Sequence, residues 1–357
     1  TASIVATETS ALTFISVPGT AWKGAWGFLE LSFGYLIGRI AVSWLLLPRY
    51  FEGELTTSYA LLERSFGVGV RRLASGTFIL TRIFADGVRL YATAIPLAII
   101  FRGYNLFSGV SDATLYFVAI LLTAIVTVAY VQVGGVRAVI WTDVVQLGIY
   151  VLGGLIAVVV LVPKIPELGA KLAAAAAAGK LTVFQTDGSF LTSPYHVLTA
   201  IVGGAVLSMA SHGTDYIIVQ RLFATDSLRD GRRALVASGV VVILQFVLFL
   251  SVGTLLYLFY GPMEMKADAV FPKFIVEQVP PGFSGLIIAG LLAAAMSTIS
   301  GSISSISSAT VFDLWASTKR GRLSSEEEKL RLSRRVSLFW AVLLTGAALA
   351  FLGTGQA

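Results

Sequence analysis

Glu8 lies in the stretch TASIVATETSALTFISVPG, among Thr7, Thr9, Ser10 and Thr13. A carboxylate and four hydroxyls in an otherwise apolar run are suited to holding a cation, or to hydrogen bonding where water does not reach. A second cluster, Ser208, Ser211, His212, Gly213, Thr214 and Asp215, interrupts the apolar register of YHVLTAIVGGAVLSMASHGTDYIIVQR. In LLAAAMSTISGSISSISSAT, Ser297, Ser300, Ser304 and Ser308 recur at i, i+3 and i+4 and share one helical face. Such a stripe suits sodium, a hard cation that favours oxygen ligands, and serves equally well as a small-residue packing face. Arg82, Asp86 and Arg89 stand at i, i+4 and i+7, so Asp86 can pair with either arginine. A structural ion pair is the leading reading there, ahead of anion recognition or inner gating. No nucleophile with a base or phosphate loop is present, GVGVRR at 67–72 being a glycine-bearing loop, so an enzyme is not expected. Two histidines and no cysteine leave no thiolate or His-rich metal centre.

The elements that must position these residues follow from composition. Of 357 residues 56% are hydrophobic and 13% charged, and the mean hydropathy is +0.83, which excludes an ordinary water-soluble domain. The charges are clumped, leaving apolar runs of about 20 residues, enough to cross roughly 30 Å of hydrocarbon. Nine spans are predicted, over 1–20, 24–48, 74–102, 114–134, 138–162, 196–219, 234–260, 283–315 and 336–355. Two connections are long, 163–195 with an alanine run expected to form a surface helix and 261–282 with four prolines. Loops after the second, fourth, sixth and eighth spans hold sixteen Lys and Arg, and the alternate set holds seven. The positive-inside rule places the first set in the cytoplasm and the long loops outside, in a plasma (inner) membrane. The charge of +6 therefore reads as membrane orientation, and nucleic acid is not an expected partner; lipid is.

The polar interruptions fall in the first and sixth spans. Five spans separate them, an odd number, so matched helices cross in opposite directions, as inverted-topology repeats require. Carriers built this way use a discontinuous helix in each half, with unwound carbonyls for cations and half-helix ends for solute. Because the chain opens and closes inside apolar runs, a fragment is expected.

Three stretches, GGVRAVIWTDVVQ, TDYIIVQRLFAT and PPGFSGLIIAGLLAAAMSTIS, in this order and at these separations, resemble the sodium:solute symporter family, which includes proline, sugar, sialic-acid, vitamin and iodide carriers. The resemblance covers the whole chain. It implies an all-α polytopic bundle of the LeuT type, incomplete here: a first repeat of five helices over 1–162, an extracellular connection over 163–195, and a second repeat over 196–357 truncated before its last helix. It also implies a sodium site from the carbonyls of Ala6, Thr9 and Ala294 with the hydroxyls of Ser297 and Thr298. A second sodium, bound by some members, implicates Asp143, Ser297 and Ser300, but Gly301 stands where a further serine is expected, and Asp143 has a structural alternative beside Arg137. Glu8 matches an acid of the proline-type members, with an ion-coupling role either as a carboxylate or as a protonated group. Solute liners implied are Leu12, Thr13, Phe14, Ser32, Tyr35, Ser208 and Ser211. Asp215, Gln220 and Arg221 resemble a stretch that anchors the inner gate.

The function so implied is sodium-coupled symport of a small organic solute, an amino acid, carboxylate or vitamin-like anion, by alternating access. Two alternatives remain from the sequence: a proton-coupled carrier of the same fold, suggested by Glu8, and the membrane domain of a sensory protein.

Overall fold

A computed structural model describes residues 1–52, 55–105, 107, 109–193 and 195–354. The end of the expected ninth span and of the second half, 355–357, lies outside them. The described chain is helical, with one isolated bridge between Gln185 and His196. Among the described residues seven helices are long and apolar enough to cross a membrane: Phe28–Leu45, Val68–Gly103, Asp112–Gly135, Arg137–Lys164, Leu228–Tyr260, Phe283–Trp315 and Glu326–Ala350. An eighth crossing is the pair Val197–Gly213 and Tyr216–Phe223, bent by 60°. The short helices Ala2–Glu8 and Ala11–Lys23 are not among these eight; taken together as span 1, as the sequence reading expects, they give the numbering of nine used below.

Both interruptions expected from the polar residues are breaks in the helix. Thr9 ends the first piece of span 1 with extended backbone, and Ser10 starts the second by accepting from Thr13 N–H in a capping box. Asp215 does the same in span 6, its carboxylate accepting from Ile217 N–H at 3.0 Å. Spans 4 and 5 are joined almost without a loop at Gly135, whose φ of 56° is open to glycine at little cost. The alanine run forms the short helix Leu168–Ala177, and the other long connection carries Ala267–Gln278.

Span boundaries shift where charge does not prevent helix. Span 3 begins at Val68 rather than 74, since Arg71 and Arg72 find partners at the end of span 8 and need not lie in a loop. Span 9 begins at Glu326 rather than 336, because a Ser325 and Glu328 capping box starts a charged amphipathic turn before the apolar run.

Span 8 is the centre: 72% of its most apolar window is buried inside the bundle, against 22% for span 9. It lies along spans 4 and 5 and carries the hydroxyl stripe inward. Span 2 and the first piece of span 6 lie so close that a Cβ at Gly34, Gly38 or Gly204 would collide with the facing backbone. Phe14, Tyr150, Phe249 and Phe271 form an aromatic core between spans 1, 5 and 7 and the helix Ala267–Gln278.

Candidate functional site

The first piece of span 1 has seven residues, so the carbonyls of its last turn lack partners one turn on, apart from Val5, which accepts from Thr9 N–H at 2.8 Å. A small cavity of about 10 Å³ is lined by Ala6, Thr9, Gln146, Leu147, Tyr150, Ala293, Ala294 and Ser297. That volume admits about one water-sized particle. Four of the five residues expected to hold sodium therefore border one cavity. The fifth, Thr298, donates to the Ala294 carbonyl at 3.3 Å and borders a neighbouring polar cavity instead. Thr9 donates its hydroxyl to Gln245 Oε1 at 3.0 Å, and Gln245 in turn donates to Tyr150 at 3.3 Å. Such oxygens suit a hard monovalent cation. Among the described residues no group of three His, Asp or Glu forms a cage for a divalent one.

Asp143, fully buried on span 5, ties this region together. It accepts from Ser3 at 2.7 Å and Thr7 at 3.4 Å on span 1, and from Ser297 at 2.6 Å on span 8. Its counter-ion is Arg221, 2.9 Å away on the second piece of span 6, with both side chains buried. The alternative partner proposed from sequence, Arg137, is thus displaced by a residue 78 positions away that only tertiary packing brings in. Ser300 donates back to the Ser297 carbonyl at 3.0 Å rather than to Asp143. A Cβ at Gly301 would lie 3.1 Å from Arg221 Nη2.

On the other side of Glu8 lies a polar cavity of about 90 Å³, bordered by Thr7, Glu8, Arg82, Arg89, Ser211, His212, Asp215 and Thr298. Glu8 is ion-paired with Arg39, which is fully buried on span 2, and stands 3.5 Å from His212 Nε2. Because arginine stays charged in proteins, Glu8 is the counter-ion that makes its burial tolerable. Arg82 pairs with Asp215 across from span 3 to the second break, and only loosely, at 3.5 Å, with Asp86. Asp86 accepts from Ser302 at 2.6 Å. Arg89 is 43% exposed and has Asp86 at 3.8 Å.

The expected solute liners divide. Ser211 borders the polar cavity and bonds His212 Nδ1 at 2.8 Å. Ser208 donates to the Tyr35 carbonyl at 2.9 Å, and Ser32 to the Leu29 carbonyl at 2.6 Å; both are buried in helix packing. Phe14 is enclosed in the aromatic core, and Thr13 serves the Ser10 capping box. Leu12 and Tyr35 are half-buried and border neither cavity described here. Gln220 accepts from Ser304 at 3.4 Å, and Ser308 meets Tyr216 at 3.1 Å, so the stripe on span 8 faces the second piece of span 6. Arg39, Ser3 and Gln245 were not singled out from sequence. A lone arginine inside an apolar span was the available signal for the first, since it demands a counter-ion; the other two carried none.

The Sodium:solute symporter family profile matches residues 1–354. Among curated relatives, the sodium/sialic acid symporter SiaT of Proteus mirabilis is 27% identical over 97% of this chain and 69% of its own length. NanT of Aliivibrio fischeri, also a sodium/sialic acid symporter, is 28% identical over 96% of this chain and 66% of its own. The human sodium-coupled monocarboxylate transporter 1 is 28% identical over 97% of this chain. The chain spans about two thirds of the bacterial relatives' length and 56% of that human relative's. A solved Na+-coupled sialic acid symporter, substrate-bound and outward-open, superposes with a TM-score of 0.86 at 27% identity, covering 99% of this chain and 74% of that one. The fold is accordingly the all-helical LeuT-like one.

Proposed function

Since the chain belongs to the sodium:solute symporter family, we propose that it moves a small organic solute inward with sodium by alternating access. The observation that carries this reading is the cavity at the first helix break, where Ala6, Thr9, Ala294 and Ser297 converge from two helices. Sodium there joins the first span to the eighth and favours an outward-open form that accepts solute. Binding of the two ligands is then reciprocal: each raises the affinity for the other by the same factor. One sodium moving with one carboxylate carries no net charge, so the membrane potential does no work on the pair and the sodium concentration gradient alone drives accumulation. The face bearing the basic loops is cytoplasmic, in the plasma membrane.

The ion count is one. At Asp143 the Arg221 guanidinium already supplies a fixed positive charge, beside Gly301, which lacks a hydroxyl. The solute carries a carboxylate. Arg89 borders the polar cavity, is the most exposed arginine there, and has only a loose partner, whereas Arg39 and Arg82 are committed to Glu8 and Asp215. Sialate and monocarboxylates, the solutes in the relatives' names, share that group. Glu8 serves as the carboxylate that compensates Arg39, which favours sodium over proton coupling.

The test is uptake into proteoliposomes by the full-length protein, across a panel of carboxylate solutes, with sodium or choline outside. Uptake should require sodium, and Arg89→Gln should raise half-saturation for the carboxylate solute about tenfold, the effect of one lost charged hydrogen bond. Equal uptake in choline defeats sodium coupling; an unchanged half-saturation in Arg89→Gln defeats the anion anchor.

A further inference from the structure

Asp313 is among the buried carboxylates that border neither cavity. Asp313, fully buried near the end of span 8, lies where that helix widens into a π-helix over Ala309–Trp315. Such widenings are uncommon and concentrate at functional positions. Asp313 accepts from Arg71 Nε at 2.7 Å and Ser75 Oγ at 2.7 Å, both on span 3, and from the hydroxyl of Thr57, in the connection between spans 2 and 3. Arg71 also donates to the Phe312 carbonyl at 3.1 Å and pairs with Glu63 at 2.6 Å.

The three partners of Asp313 are unequal. Arg71 and Ser75 come from one helix and include a full charge, so they hold a socket together. Thr57 is neutral, and losing it leaves the carboxylate still paired. The connection carrying Thr57 is tied to the second helix break: Tyr216 donates to the Thr56 carbonyl at 2.8 Å, and Tyr50 donates to the Gly213 carbonyl at 2.6 Å. Tyr216 also meets Ser308, on the same face of span 8 as Ser297 and Ser304. This connection is therefore held against both the second helix break and the end of span 8 that carries the stripe, on the side of the basic loops.

We infer that Thr57 and Asp313 form the latch of a gate on the basic-loop face, with Asp313, Arg71 and Ser75 as the fixed socket and the Thr57 segment as the bolt carried by the span 6 break. The bolt leaves without stranding a charge in the bundle, which makes the contact reversible. The proposal rests on the transport reading above, but its geometry can be tested without any solute.

These 357 residues hold no cysteine, so a single Ser304→Cys substitution, with any cysteine outside them replaced by serine, is a reporter midway between the latch and Ser297. In the full-length protein reconstituted in vesicles of known orientation, its labelling by a membrane-impermeant maleimide is timed in choline. Thr57→Val should accelerate labelling from the basic-loop face about tenfold, as expected for one lost charge-assisted hydrogen bond. It should not change labelling from the opposite face. Asp313→Asn should act in the same direction; if that variant does not fold, Thr57→Val decides alone. A rate within twofold of the parent in Thr57→Val, or acceleration from both faces alike, overturns the latch. Adding sodium to the parent tests the other reading separately. Slower labelling fits an ion that favours the closed basic face, and no sodium effect with an accelerating Thr57→Val leaves the latch standing while removing sodium coupling.

Discussion

The two helix breaks share one backbone conformation and differ in chemistry. Thr9 and Asp215 both adopt φ −71° and ψ 117°, in spans that are five apart in the chain. At the first break the one charged side chain, Glu8, is answered by Arg39, and beside it Thr9 bonds an amide, Ser10 caps a helix, and Ala6 and Thr9 border a cavity of one-ion size. At the second, the carboxylate of Asp215 caps its own helix and is neutralised by Arg82. Charge is satisfied internally at both breaks; what distinguishes the first is a cavity of one-ion size bordered by uncharged residues, whereas the cavity at the second is bordered by Arg82, Arg89 and Asp215. The fold thus provides two openings in the backbone, and the proposed sodium site uses only the first of them.

Arg221 connects the halves, reaching from beyond the second break to Asp143 and the first. Arg221→Met, which keeps most of the side-chain volume, should therefore have the largest effect, costing about 3–5 kcal/mol because it leaves Asp143 charged and alone. Thermal unfolding in detergent should show it, and Asp143→Asn added to Arg221→Met should recover part of the loss. If Arg221→Met is as stable as the parent, the two breaks are not coupled through this pair.

Next in size is the first break itself. Ser297→Ala with Thr298→Ala should raise the sodium concentration for half-maximal uptake at least tenfold, since about 1.5–3 kcal/mol goes with each hydrogen-bond-like contact to a charge. Preserved sodium activation in the double variant would count heavily against the site. Asp215→Asn makes the contrasting change at the second break: the amide oxygen still caps Ile217 while Arg82 loses its partner. Stability should fall by about 1–2 kcal/mol with sodium affinity unmoved, and a sodium shift there would erase the distinction between the breaks. The smallest effect belongs to Ser10→Ala, which removes one cap from span 1 for about 1 kcal/mol, read as a modest fall in melting temperature.

Much of this was legible because a membrane makes polarity expensive. Glu8 with its hydroxyl neighbours, and the serine-to-aspartate cluster of span 6, stood out from apolar surroundings, and both proved to be breaks. The stripe on span 8 was readable as one face, but period alone did not say what it faced; Asp143, Gln220 and Tyr216 answer that. Ser32 and Ser208 illustrate the opposite outcome. The family resemblance implied them as liners, yet Gly34, Gly38 and Gly204 draw spans 2 and 6 so close that both hydroxyls are spent on backbone carbonyls. Asp313 sat inside an expected span without attracting notice, because its partners come from a connection and a helix start more than two hundred residues earlier.

By itself the sequence determined where the chain crosses the membrane, which crossings are broken and which residue types are available to an ion, because apolar length and lone polar groups are local properties. Tertiary structure alone decided which charge answers which: Arg221 rather than Arg137 for Asp143, Arg39 for Glu8, Arg82 for Asp215. In a medium that cannot solvate an ion, every charge must find its opposite across the bundle, and the distance along the chain carries no information about where that opposite is.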